Sequence, residues 1–231
     1  RHIQNENQAL AQRLQADAFE MATLLTLPAA AALAICAPAF TSAFFVGGKF
    51  TAADGALMSN IVVALVAGLP AYVIIKILIP GFFARSDTKT PVLTALAALI
   101  VNIALNIYVV MYAGYGIVGL AAATAASATL NCVLLYTILH RRGFFHFTAA
   151  LASRIFRQLI ATAAMAAILW FLMGRLTPYF AADVWSRIWS LVVLVAAGAA
   201  VYAVVGFMVG AVDKQRIIAL VKRKPIPTEE T

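Results

Sequence analysis

The chain has 231 residues, 64% of them apolar and 11% charged, with a net charge of +8. A water-soluble globular domain carries roughly 45–50% apolar and about 25% charged residues. This composition therefore excludes a soluble enzyme core, a disordered chain and a disulfide-stapled module. At roughly 20 apolar residues per crossing, it predicts an all-α, polytopic membrane helix bundle with six transmembrane helices.

The opening segment, 1–23, is polar and starts at Arg1 rather than Met. It carries no basic flank running into a short apolar core, so no signal peptide is expected, and the chain reads as a piece of a longer protein cut in a loop. Apolar runs bounded by charge, Gly or Pro then predict spans at 24–46, 57–84, 91–113, 116–139, 159–174 and 184–212. Four of these fill 24–140. A basic loop, 141–158, precedes two further spans within 159–212, and 213–231 forms a tail. Short connections make successive helices antiparallel neighbours.

The first span contains Pro28 and Pro38. Each proline removes a backbone donor, and lipid tolerates this only where a neighbouring helix or polar group covers the freed carbonyl. Static packing and a bend that moves during transport are both open readings.

In the second span Gly68, Tyr72 and Lys76 recur every four residues, on one helix face. Lys76 lies nine residues before Arg85, roughly 13 Å from the span's end, which is deeper than a lysine stem reaches by snorkelling. An ammonium at that depth either lines a wet cavity, as functional intramembrane charges do, or is a snorkelled or ion-paired structural group. The third span presents Asn102 and Asn106, the fourth Thr124, Ser127 and Asn131. Such stripes either join helices through hydrogen bonds or line an aqueous path. On the second reading they are candidate cavity residues together with Lys76, Tyr72 and Gly68. Small residues in the fourth to sixth spans, including the Gly206/Gly210 pair, are packing signals.

Between the second and third spans lies a charged hairpin whose candidate functional residues are Arg85, Asp87, Thr88, Thr90 and Pro91. Thr90 is expected to cap the following helix, with Pro91 in its first turn. Asp87 holds the turn, and Arg85 and Lys89 meet anionic headgroups.

Of the 17 Lys and Arg residues, 13 fall on the side of the N-terminal stretch and three (Lys49, Arg175 and Arg187) on the other, with Lys76 within a span. Basic loops stay in the cytoplasm, so both ends of the chain are expected there. Trp185 and Trp189, four apart at the outer start of the last span, fit an interfacial aromatic belt.

Catalytic readings find no support. His2, His140 and His146 are expected outside the spans, with no metal-ligand spacing among His, Cys, Asp and Glu. There is no G-x-x-x-x-G-K-[ST] loop, and the nine acids are expected in loops or at ends. Cys36 and Cys132 sit in apolar runs and act as small hydrophobes. The basic residues lie between spans rather than on one solvated face, which argues against nucleic acid. No catalytic residue, metal or cofactor is expected.

The segment 48–54 (Gly-Lys-Phe-Thr-Ala-Ala-Asp), the helix with Gly68-Leu69-Pro70 and Lys76, and the 82–91 hairpin together resemble the C-terminal part of the MurJ/MviN lipid II flippases. These belong to the multidrug/oligosaccharidyl-lipid/polysaccharide exporter superfamily. The resemblance implies a fourteen-helix bacterial inner-membrane protein with two six-helix lobes around a cavity, plus two extra helices, and this chain supplies the ninth to fourteenth. Its implied partners are the undecaprenyl-pyrophosphate-linked precursor lipid II, membrane lipids and the missing N-terminal helices. The family's cationic cavity residues belong mostly to the lobe absent here. A pyrophosphate head needs cations in a confined site and a polyprenyl tail needs an apolar groove, the latter assigned by resemblance to the last two helices. A related exporter of other polysaccharide lipids or drugs and a non-transporting membrane scaffold are the alternatives.

Overall fold

The computed structural model describes residues 2–145, 147–180 and 184–211. These form seven α-helices: α1 (His2–Phe44), α2 (Ala52–Val66), α3 (Leu69–Phe83), α4 (Lys89–Tyr108), α5 (Gly116–Arg141), α6 (Ala149–Phe180) and α7 (Val184–Val209). Among the described residues, six stretches are long and apolar enough to cross a membrane: Leu14–Phe44, Ala52–Phe83, Lys89–Ala113, Gly116–Arg141, Ala149–Thr177 and Trp185–Val209. The expected helix bundle and its six spans are present.

The second span is two helices rather than one. Pro70 has no N–H for the carbonyl of Val66, and the chain tightens locally, with Gly68 N–H donating to Leu65 at 3.0 Å. Gly68 is buried there against α5. The third span also ends irregularly, α4 passing into a π-helical turn at Val109–Ala113. Gly114 closes that turn at φ 66°, a left-handed conformation that glycine adopts without steric cost.

Two expectations about helix limits need correcting. The segment 1–23, read as a polar lead-in, is helical from His2, and no Gly or Pro occurs in 2–23 to stop the helix. The basic segment 141–158 is a turn followed by the first turns of α6, whose Leu151 N–H is accepted by the Thr148 hydroxyl at 3.3 Å. Asp17 and Glu20 therefore lie on a helix within the first candidate span, and His140 lies in the last turn of α5. His146, 181–183 and the 212–231 tail are outside the described residues.

Helix α1 is the spine of the bundle. It packs against α2 and α3 on one side and α6 and α7 on the other, while α5 joins α2, α3 and α4. Two buried apolar clusters reflect this division. One gathers Phe19, Leu78, Phe82, Leu135, Leu139 and Phe145 between α1, α3 and α5; the other gathers Cys36, Met165, Leu169, Leu191 and Leu194 between α1, α6 and α7. Val92, Leu96, Leu99, Ile103 and Ile107 on α4 and Trp170, Trp185 and Trp189 on α6 and α7 remain exposed, as lipid-facing or partner-facing surfaces of a membrane protein do.

Candidate functional site

The first element is the broken second span. Gly68 is buried and faces Ala125 of α5, and the Tyr72 ring packs back onto Gly68. Lys76, one turn further along α3, is exposed and makes no hydrogen bond or ion pair among the described residues. The three residues share a face as expected, but Gly68 serves as a contact between helices, and Lys76 presents a charged group without a partner among the described residues.

The polar stripes of α4 and α5 meet each other. Asn102 donates to the Ser127 hydroxyl at 3.1 Å, Asn106 donates to Asn102 at 3.1 Å, and Ser127 donates to the Thr124 carbonyl at 2.9 Å. Thr124, exposed, returns its hydroxyl to Leu120 of its own helix. Asn102 and Ser127 thus join two helices, as polar groups do where hydrocarbon offers no other partner, with Asn106 bonded to Asn102 along α4. The side-chain oxygens of Asn106 and Asn131 are buried without a hydrogen-bond donor among the described residues.

The charged hairpin is ordered by Asp87. Its carboxylate accepts from the Thr90 N–H at 3.0 Å, from the Thr90 hydroxyl at 2.6 Å, and from Arg142 at the end of α5. The cap of α4 is therefore Asp87, with Thr90 as donor, which corrects the expected capping role of the Thr90 hydroxyl. These bonds to Thr90, and then the Arg142 guanidinium, hold the Asp87 carboxyl down to about 2. Thr88 is exposed and makes no side-chain cap, and Pro91 sits harmlessly in the first turn. Ser86 takes a left-handed conformation, φ 57°. Arg85 donates to the Gly81 carbonyl at 2.6 Å and lies 4.0 Å over the Phe144 ring.

The sequence did not point to the partner of Glu20. Its carboxylate accepts from Arg154 of α6 at 2.6 Å, and the fully buried Gln158 donates to its carbonyl at 3.2 Å. Such a half-buried pair registers α6 against α1; removing one partner strands a charge, which costs more than the pair itself contributes. At the opposite end of the bundle, Arg187 of α7 donates to the carbonyls of Ser42 and Val46 at the end of α1. The residues around 12, 85–90, 142–145 and 154 thus meet at one end, with the 42–51 segment and Arg187 at the other.

Between α1, α6 and α7 runs an apolar groove of about 340 Å3, its walls including Leu24, Pro28, Cys36, Phe40, Leu169 and Tyr202. Gly198 on α7 lets the Leu169 side chain approach to 3.2 Å from where a Cβ would stand. Pro28 leaves the Leu24 carbonyl without its helical donor, and the Tyr202 hydroxyl donates to that carbonyl at 2.8 Å. No group of three or more metal-ligating side chains occurs among the described residues.

A family model described as lipid II flippase MurJ matches residues 1–208. The chain belongs to the MurJ lipid II flippase family. It is 34% identical over 223 residues to a probable lipid II flippase MurJ of Rhizobium tropici, covering 95% of this chain and 42% of that protein. A Rhizobium meliloti relative of the same description is 35% identical over 96% of this chain and 42% of its own length. One from Vibrio cholerae is 34% identical over 83% and 36%. A solved structure titled lipid II flippase MurJ, inward closed conformation, superposes with a TM-score of 0.69 at 23% identity, covering 86% of this chain and 39% of that one. At that identity the likeness is one of fold. The chain spans about two-fifths of the length of the MurJ relatives it matches.

Proposed function

We propose that this chain is the C-terminal part of a lipid II flippase, a multi-pass protein of the bacterial inner membrane that moves the undecaprenyl-pyrophosphate-linked peptidoglycan precursor outward. The observation that carries this reading is that one MurJ-family chain holds both halves of an amphiphile's recognition chemistry. The groove between α1, α6 and α7 has walls that are almost wholly hydrocarbon, which suits a polyprenyl tail. Lys76, exposed and unpaired among the described residues on α3, offers a cation for the pyrophosphate. Drug export by an intramembrane acid finds less support, because Glu20, the buried acid of the first span, is engaged by Arg154.

In this reading the helices of 24–140 complete the second lobe, and 159–212 supplies the two additional helices. The end bearing Arg85, Lys89, Arg141, Arg142, Arg154 and Arg157 faces the cytoplasm, together with both chain ends. The cavity is completed by the N-terminal helices of the same protein. The Asn102–Ser127 bond holds the α4–α5 pair that borders it, and Asn106, Thr124 and Asn131 lie on the same polar stripes as candidate lining of the cavity.

The test is lipid II transport by the full-length protein in proteoliposomes. A charge-assisted contact contributes about 1.5–3 kcal/mol, so Lys76→Ala should express normally and weaken transport by about ten- to a hundredfold, while Lys76→Arg keeps the charge and retains part of it. A normally expressed, fully active Lys76→Ala protein removes this lysine from head-group binding.

A further inference from the structure

We propose that Tyr202 is a positioning residue that sets the width of the α1–α6–α7 groove and, through it, the preference of the transporter for a long prenyl chain. The proposal rests on the reading of this groove as the tail site of a lipid II flippase. Three facts converge on one spot. Pro28 deprives the Leu24 carbonyl of its i+4 donor, and in hydrocarbon there is no water to replace it. The hydroxyl of Tyr202, on α7, donates to that carbonyl at 2.8 Å. Leu24, Pro28 and Tyr202 all belong to the groove wall, so the bond that repairs the proline break also fixes the separation of two walls.

The rest of the groove is held in ways that leave this bond decisive. Arg187 ties the start of α7 to the carbonyls of Ser42, in the last turn of α1, and Val46, just beyond it, at 3.2 Å, and Glu20 with Arg154 ties α6 to α1 near the other end. Tyr202 supplies a hydrogen-bonded link between α1 and α7 at the level of the groove itself. Without its hydroxyl, the Leu24 carbonyl left over by Pro28 loses the donor that α7 supplies, and the freed carbonyl opens onto the apolar channel. A groove of about 340 Å3 is at the small end of ligand pockets, so it accommodates only a segment of a long chain, and a small change in width changes how well that segment is gripped.

The experiment uses the full-length protein in proteoliposomes with two substrates, lipid II carrying its undecaprenyl chain and lipid II carrying a farnesyl chain. The wild type should half-saturate at a lower concentration of the undecaprenyl substrate. Tyr202→Phe keeps the ring and deletes the donor. Losing one neutral hydrogen bond of about 1 kcal/mol corresponds to about fivefold in binding, so the undecaprenyl preference should fall by about that factor, with half-saturation moving more than the maximal rate.

Pro28→Ala restores an N–H to the Leu24 carbonyl and makes the tyrosine hydroxyl redundant. Adding Tyr202→Phe to Pro28→Ala should then change the preference no further, and the same dependence on Pro28 should appear in the thermal unfolding midpoint of the solubilised protein. Equal losses from Tyr202→Phe with and without Pro28, or an unchanged preference in the single variant, overturn the positioning role. A wild type that treats the two chain lengths alike overturns the tail-groove reading itself, and this inference with it.

Discussion

Gly68→Ala is expected to destabilise the protein, although alanine is the better helix former. A Cβ added at position 68 would lie 2.9 Å from the Ala125 Cα, 3.0 Å from the Ala125 Cβ and 3.0 Å from the Tyr72 ring. Ordinary contacts begin near 3.4 Å, and one of these neighbours is backbone, so α5 must move by about half an ångström at a point where it packs against both α2 and α3. Overpacking of this kind costs typically about 1–3 kcal/mol. Against it stands a gain of about 0.4–1 kcal/mol from a less flexible unfolded chain, since φ −84° and ψ −10° are open to alanine. The net effect is a loss of about 1–2 kcal/mol, read as a fall of a few degrees in the unfolding midpoint of the solubilised full-length protein. Gly174→Ala is the control: nothing lies within 4 Å of its Cβ position, which falls inside α6 and clear of its last turn, and relief of the helical glycine penalty of about 0.8–1.0 kcal/mol should leave the midpoint equal or higher. A Gly68→Ala protein as stable as its parent would refute the close approach of α5 at the break.

The hairpin should show a pH dependence of definite sign. The carboxyl of Asp87 is depressed to about 2 from an ordinary 3.8, so its contribution is complete above the ordinary value and disappears as pH falls from about 5 toward 2. The difference in unfolding midpoint between wild type and Asp87→Asn should therefore close over that interval, and a gap that stays constant down to pH 2 contradicts the bonds to Thr90 and Arg142. For orientation, Ser86→Cys and Lys49→Cys are introduced singly after replacement of Cys36 and Cys132 by alanine. A membrane-impermeant thiol reagent applied from outside the cell should label position 49 and spare position 86; the reverse pattern inverts the topology.

Much of the architecture is local chemistry and so is legible in the chain order. Six apolar runs, their bounding charges, and a hairpin built on Asp87, Thr90 and Pro91 depend on residues within a turn or two of each other, and hydropathy reports these directly. The break in the second span had its signal in Gly68 and Pro70, and the early starts of α1 and α6 had theirs in the absence of Gly and Pro from 2–23 and 149–158. Apolarity set the expected limits too narrowly because a helix continues through polar residues until something stops it.

The partners across the bundle are of another kind. Pro28 announces that a carbonyl is left over but not that Tyr202, 178 residues from Leu24, supplies the donor. Glu20 and Arg154 are both polar residues near apparent helix ends, and only the packing of α6 along α1 brings the charges within 2.6 Å. The polar stripes of α4 and α5 were visible, yet their bonding to each other, Asn102 to Ser127, required the register of the two helices. Backbone propensity and hydropathy act over one or two turns, whereas these pairings follow from how whole helices settle against α1 and α5. That is why the spans belong to the sequence, and the groove with its tyrosine latch to the tertiary structure.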